Sequence, residues 1–145
     1  MAVNDWLGPV DHLILHVEPG ASPAGGLSRL RTLVESGTIA LLDLEVVVGA
    51  ATGPRSLDAG TWGDGAGLDL HAFDGVWSGL LDHDDLVAAR DGVGDEVVAL
   101  VVVYEVTAFR PVLAAWDRPG VTLAGSGPVS EDDLVAALAA DGSTI

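Results

Sequence analysis

Residues 10–17 set Leu13, Leu15 and Val17 on one parity and His12, Ile14 and His16 on the other, the two-residue period of a strand. Residues 18–26 hold two Pro and three Gly and read as a turn-rich connection. The period then changes. Leu27, Leu30, Leu33 and Val34 stand at helical spacing, with Arg29, Arg31 and Glu35 on the polar side, and Gly37 suits a helix stop. Residues 39–48 return to an extended pattern. Residues 49–81 follow neither period, yet they carry Trp62, Leu68, Leu70, Phe73 and Trp77. A disordered linker does not hold so many large apolar side chains, so an ordered insertion is predicted. Residues 82–90 read as a helix capped by Asp82, with Asp85 three positions on. Residues 97–106 are the strongest strand, and residues 109–116 a helix with Pro111 in its first turn, ended by Pro119 and Gly120. Residues 121–125 read as a last strand, and Ser130 as the cap of a last helix, 131–140, with Asp133 at the reciprocal position.

The order strand, helix, Gly, strand occurs twice, and each half closes on Asp-Asp-Leu-Val-Ala-Ala, at residues 84–89 and 132–137. Two such βαβ halves interleave into a ferredoxin-like α+β fold. Its four-stranded antiparallel sheet has helices on one face, with the insertion and an extra C-terminal helix added. A mixed sheet with helices on both faces is the alternative. One domain over residues 8–141 is expected, with flexible termini at 1–7 and 142–145. In the ferredoxin-like order, strands 10–17 and 97–106 are antiparallel neighbours at the centre of the sheet. His12 and Glu105 then approach each other on its open face.

Charge narrows the function classes. Among the 145 residues, 22 carboxylates face six Arg and no Lys, for a net charge of −16. Codon bias of a GC-rich genome accounts for such a composition, and a salt-adapted surface is the second reading. A phosphate backbone needs a basic stripe to displace its counterions, and an anionic membrane needs the same. Neither nucleic acid nor a membrane surface is therefore an expected partner. The chain has no Cys, hence no disulfide, thiolate nucleophile or zinc–thiolate site. The first eight residues lack a basic region and an apolar stretch, so no signal peptide is predicted. A cytoplasmic location is the expectation.

Several short motifs occur in order: Gly8-Pro9-Val10-Asp11, Glu18-Pro19-Gly20, Gly37-Thr38-Ile39, Leu42-Asp43-Leu44, Phe73-Asp74-Gly75, Ser78-Gly79-Leu80-Leu81 and Tyr104-Glu105. Together, from about residue 8 to 140, they resemble a family of small acidic actinobacterial proteins known only as a domain of unknown function. Members carry a polar-aromatic segment after the Tyr-Glu pair, where this chain has Val106-Thr107-Ala108-Phe109. The resemblance implies no activity, substrate or cofactor.

Recognisable catalytic patterns are lacking. Residues 60–67 contain four Gly, but no Lys-Ser/Thr pair follows and Asp64 within the run repels phosphate. Ser126 stands between Gly125 and Gly127 but without the outer glycine of a nucleophile elbow. No catalytic residue and no cofactor are assigned. For a metal, His71, Asp82, His83 and Asp84 are the candidates, although their spacing matches no calcium loop and no site is expected. Strand parity supplies a sharper group. It places Leu13, Leu15, Val17, Leu42, Leu44, Val46 and Val48 on the helix-covered face. His12, Ile14, His16, Ile39, Leu41, Asp43, Glu45, Val47, Val97, Ala99, Val101, Val103 and Glu105 fall on the other. That second face is too apolar for water, yet it carries imidazoles and carboxylates. His12, His16 and Glu105 are thus the candidates for a ligand site. The leading expectation is different: a non-enzymatic interaction or assembly domain, a homodimer or larger, whose apolar face packs on the insertion or a second subunit. A small-molecule or metal-binding protein using the open face is the alternative, and acid–base catalysis by His and Glu comes third.

Overall fold

The computed structural model describes residues 7–128 and 130–141. Strand β1, Val10–Val17, is followed by helix α1, Ala24–Glu35, and strand β2, Ala40–Val48. The insertion adds a short strand β3, Arg55–Leu57, a helix α2, Ala59–Ala66, and a 3₁₀ turn, His71–Phe73. Helix α3, His83–Ala89, and strand β4, Val98–Glu105, come next. Helix α4, Arg110–Trp116, and helix α5, Glu131–Asp141, close the chain. The strands form one four-stranded antiparallel sheet in the order β1-β4-β2-β3. β4 is therefore central, and β1 and β2, joined through α1, run parallel to each other on either side of it.

Local chemistry explains the element ends. Gly37 adopts φ +76°, and the amides of Ser36, Gly37 and Thr38 return to the carbonyls of Thr32, Val34 and Leu33 to close α1. Asp58 accepts the Gly60 amide at 2.8 Å and starts α2. Asp82 and Asp85 cap α3 reciprocally, as their spacing predicts. Ser130 accepts the Asp133 amide at the start of α5.

Both faces of the sheet are covered, which corrects the expectation of helices on one face. On the first face Leu44, Val46, Leu100 and Val102 pack with Leu27 of α1 and with Ala59, Leu70 and Phe73 of the insertion. On the second face Val47, Ala99, Val101 and Val103 pack with Ala89 of α3, flanked by Leu81 and Leu86. Of the helix at 83–89, Ala89 is buried against this second face, where its small side chain permits close approach to the sheet.

Three further departures matter. Residues 121–125 form no strand; Val121 and Leu123 are exposed, and the run has no ladder to join. The fourth strand is instead β3, at the opposite edge beside β2. β1 is thus an edge strand, where the ferredoxin-like order places it inside. Finally, the β2–β4 register shifts between Leu41 and Asp43. This bulge turns Leu41 toward the first core and leaves Leu42 exposed, the reverse of strict alternation. Of the expected termini, residues 1–6 and 142–145 lie outside the described residues.

Candidate functional site

The second face of the sheet holds the sequence-derived candidates, and it divides into a sealed half and an open half. On β2, Asp43 and Glu45 are two residues apart and share this face, as parity requires. Residues 77–81 lie over them as a strap. Ser78 donates its amide to Asp43 at 2.8 Å, and Leu81 donates its amide to Glu45 at 3.1 Å. Ser56 of β3 donates its hydroxyl to Glu45 at 2.5 Å and accepts the Trp77 indole N–H at 2.7 Å. Both carboxyls are wholly buried, and Asp43 Oδ2 has no hydrogen-bond partner. Burial, with Asp43 beside it, pushes the Glu45 carboxyl up from its ordinary value, against the pull of Ser56 and Leu81.

Glu105 is also fully buried but is neutralised differently. Arg110, at the start of α4, donates Nε to Oε2 at 2.6 Å and Nη2 to Oε1 at 2.5 Å, and Gly8 adds its amide at 2.8 Å. This paired fork holds the Glu105 carboxyl below the usual range, with Arg110 the chief cause. The expected meeting of His12 and Glu105 does not form. β1 and β4 are antiparallel neighbours, but His12 faces Val103 and lies beside Asp11, 3.7 Å away, while Arg110 takes Glu105. His16 goes elsewhere again: its Nε2–H donates to the Ala89 carbonyl at 2.8 Å and ties β1 to the end of α3. His12, His16 and Glu105 therefore share a face without converging on one point.

The open half lies between β1 and α3. A groove of about 520 Å³ runs there, with Val101 and Val103 as floor and Ile14, Leu80 and Ala88 among its walls. His12, Asp11 and Asp85 stand in its lining, whereas His16 and Glu105 do not. Beyond the groove lies the outer edge of β1. Val106 donates its amide to the Pro9 carbonyl at 2.8 Å, in line with the β1–β4 register. Antiparallel pairing then points the backbone groups of Asp11, Leu13, Leu15 and Val17 at β4. Those of Val10, His12, Ile14 and His16 point outward, where no strand pairs among the described residues. Leu13 (51 %), Ile14 (45 %) and Leu15 (45 %) are half exposed, so the edge is apolar on both faces. Asp11 folds back to accept the outward His12 amide at 2.8 Å.

The metal candidates are used singly. His71 lies between Asp74, 3.0 Å from Nδ1, and Asp64, 2.7 Å from Nε2. Both contacts favour the charged ring, and they push its pKa up to about 9. Asp82 caps α3, with His83 and Asp84 in its first turn. Among the described residues, no three such groups converge in a metal-holding arrangement. A second cavity, about 510 Å³, lies between α1 and the 3₁₀ turn, lined by Arg31, Val34, Leu41 and Phe73 among others. Arg31 is engaged by Glu35 at 2.8 Å.

Sequence alone placed Asp43 and Glu45 on one face with His12 and His16. It missed Arg110, Ser56 and the strap, which come from segments far away in the chain. Among the described residues no helix is long and apolar enough to cross a membrane. Compared with family models, with curated proteins and with solved structures, the chain matches none.

Proposed function

We propose that this chain is a non-enzymatic interaction domain of the cytoplasm that assembles by accepting a strand at the free edge of β1. One observation carries the reading: an eight-residue edge strand, apolar on both faces, whose outward N–H and C=O groups meet no strand among the described residues. Such an edge is a template for strand pairing. The arrangement is ferredoxin-like in its β1–α1–β2 unit with β4 between the strands; the fourth strand, β3, stands at the far edge, and no described strand lies beyond β1, where a partner adds. A second copy is the simplest source of that strand. Antiparallel pairing about Ile14 sets Leu13 against Leu15 of the copy and extends both sheets. The groove gives the small-molecule alternative its only support, since it gathers His12 but neither His16 nor Glu105.

Light scattering at micromolar protein in high salt, where repulsion between two acidic chains is screened, tests the assembly. A dimer is expected, and Ile14→Pro should abolish it. That substitution removes an outward N–H and leaves the β4 ladder intact. A dimer indifferent to Ile14→Pro removes the reading, and a monomer at every salt concentration removes the second copy as the source of the strand.

A further inference from the structure

We propose that the groove between β1 and α3 receives an extended basic peptide, apolar at alternate positions, which adds to β1 as a new outer strand. The proposal rests on β1 being an accepting edge and goes on to name the chemistry of the partner. Of the four residues whose backbone groups face outward, Val10, His12 and Ile14 line the groove, and Asp11 lines it with them. A strand laid along this edge therefore gains main-chain hydrogen bonds from β1. Every second side chain also turns toward the apolar space bounded by Leu80, Ala88 and Val103.

Charge selects the sequence of that strand. Asp11 and Asp85 are the acidic groups in the lining, and no Arg is among them. Asp11 is held on the His12 amide, the very donor an incoming strand needs. Pairing displaces this carboxylate, and a Lys or Arg on the partner is the group that re-pairs it. Asp85 stays on the Asp82 amide and adds negative potential beside the groove. A second copy offers the opposite: it brings another Asp11 and Glu18 and a further net charge of −16. The field of the whole chain thus draws a basic strand in and holds an acidic one off. The two occupants differ in sign with salt, since self-pairing strengthens as salt rises and basic-peptide binding weakens.

The test uses the full chain and a blocked, fluorescent synthetic peptide alternating valine and lysine, read by anisotropy and by amide NMR. Binding is expected, weakening as salt rises, with shifts and new exchange protection at the amides of Val10, His12, Ile14 and His16. Asp11→Asn and Asp85→Asn should each weaken it by about two- to fivefold, the scale of one partly exposed ion pair. A valine–glutamate peptide should not bind, and a peptide of the same valine and lysine content in two blocks should bind less. Absence of binding overturns the proposal. So does binding that spares the β1 amides or does not distinguish alternating from block peptide, since it would be general attraction to an acidic surface. If the Ile14-dependent dimer forms but the peptide fails, the β1 reading stands and the basic partner falls. If the dimer also fails, both fall.

Discussion

His71 presents both ring nitrogens to carboxylates, and a ring that donates twice must carry two protons. Its pKa of about 9 lies above the ordinary value of 6.5. The sign follows from linkage: the stabilisation is complete below the ordinary value and is lost as pH climbs through the folded one. An NMR titration of the ring should therefore show its midpoint near 9. The gap in urea midpoint between wild type and His71→Ala should be present at about pH 6 and closed by about pH 10. Glu105 behaves in the opposite sense, because its carboxyl is held low by Arg110. That stabilisation is present above the ordinary carboxylate pKa and is lost as pH falls through the depressed one. Arg110→Ala should lower the melting temperature at neutral pH, with the deficit shrinking in acid as Glu105 takes a proton. A deficit constant with pH would show that Arg110 acts by packing and not by charge.

The glycines of α1 and α2 look alike in sequence and differ in space. A Cβ on Gly60 would stand 2.1 Å from Asp74 Oδ1 and 3.1 Å from the His71 ring, whereas one on Gly26 meets nothing within 4 Å. Ala at an unobstructed helical site gains about 0.5–1 kcal/mol over Gly. Urea unfolding should find Gly26→Ala stabilised by that amount and Gly60→Ala destabilised, because the added methyl displaces Asp74 from His71. The ladder of β1 makes a second prediction. In hydrogen exchange of the monomer, at low salt, the amides of Leu13, Leu15 and Val17 should be slow and those of Val10, Ile14 and His16 fast, an alternation that a fully paired strand would not show. The same strands show how far sequence reaches. Alternation gave β1 its limits and set Asp43 and Glu45 on one face, since parity is a local property. It could not reveal the bulge at Leu42, because Leu41 and Leu42 are equally apolar and only the register with β4 decides which turns inward. Arg55–Leu57 carries no strand signal of its own; it is extended because the edge of β2 was free to take it. Val121 and Leu123 had the pattern but no ladder, and pattern without a hydrogen-bonding neighbour does not make a strand.

For the whole molecule, net charge opposes compactness. Six Arg cannot balance 22 carboxylates, and of these Arg one serves Glu105 while another, Arg90, donates to the carbonyls of Val47, Val97 and Gly94. Self-repulsion of a net −16 chain falls as ions screen it, over a length of about 10 Å at 0.1 M salt and about 3 Å at 1 M. The melting temperature should rise with sodium chloride across that range. A fall would mean that specific ion pairs outweigh the general repulsion, and a salt-adapted surface would show the steepest rise. The central place of β4 has a different consequence, which belongs to synthesis. β1 forms its ladder with β4, and the residues paired across it, Val10 with Glu105 at one end, are far apart in the chain. On a ribosome the apolar β1 emerges early and waits while the insertion and α3 are made, on the order of ten seconds at usual elongation rates. β2 waits beside it, since its own long partner is the same late strand. Only the short β2–β3 ladder can form before the last of the long strands clears the exit tunnel. The nascent chain must stay soluble through that interval, and its dense carboxylates keep neighbouring nascent chains apart until β4 arrives.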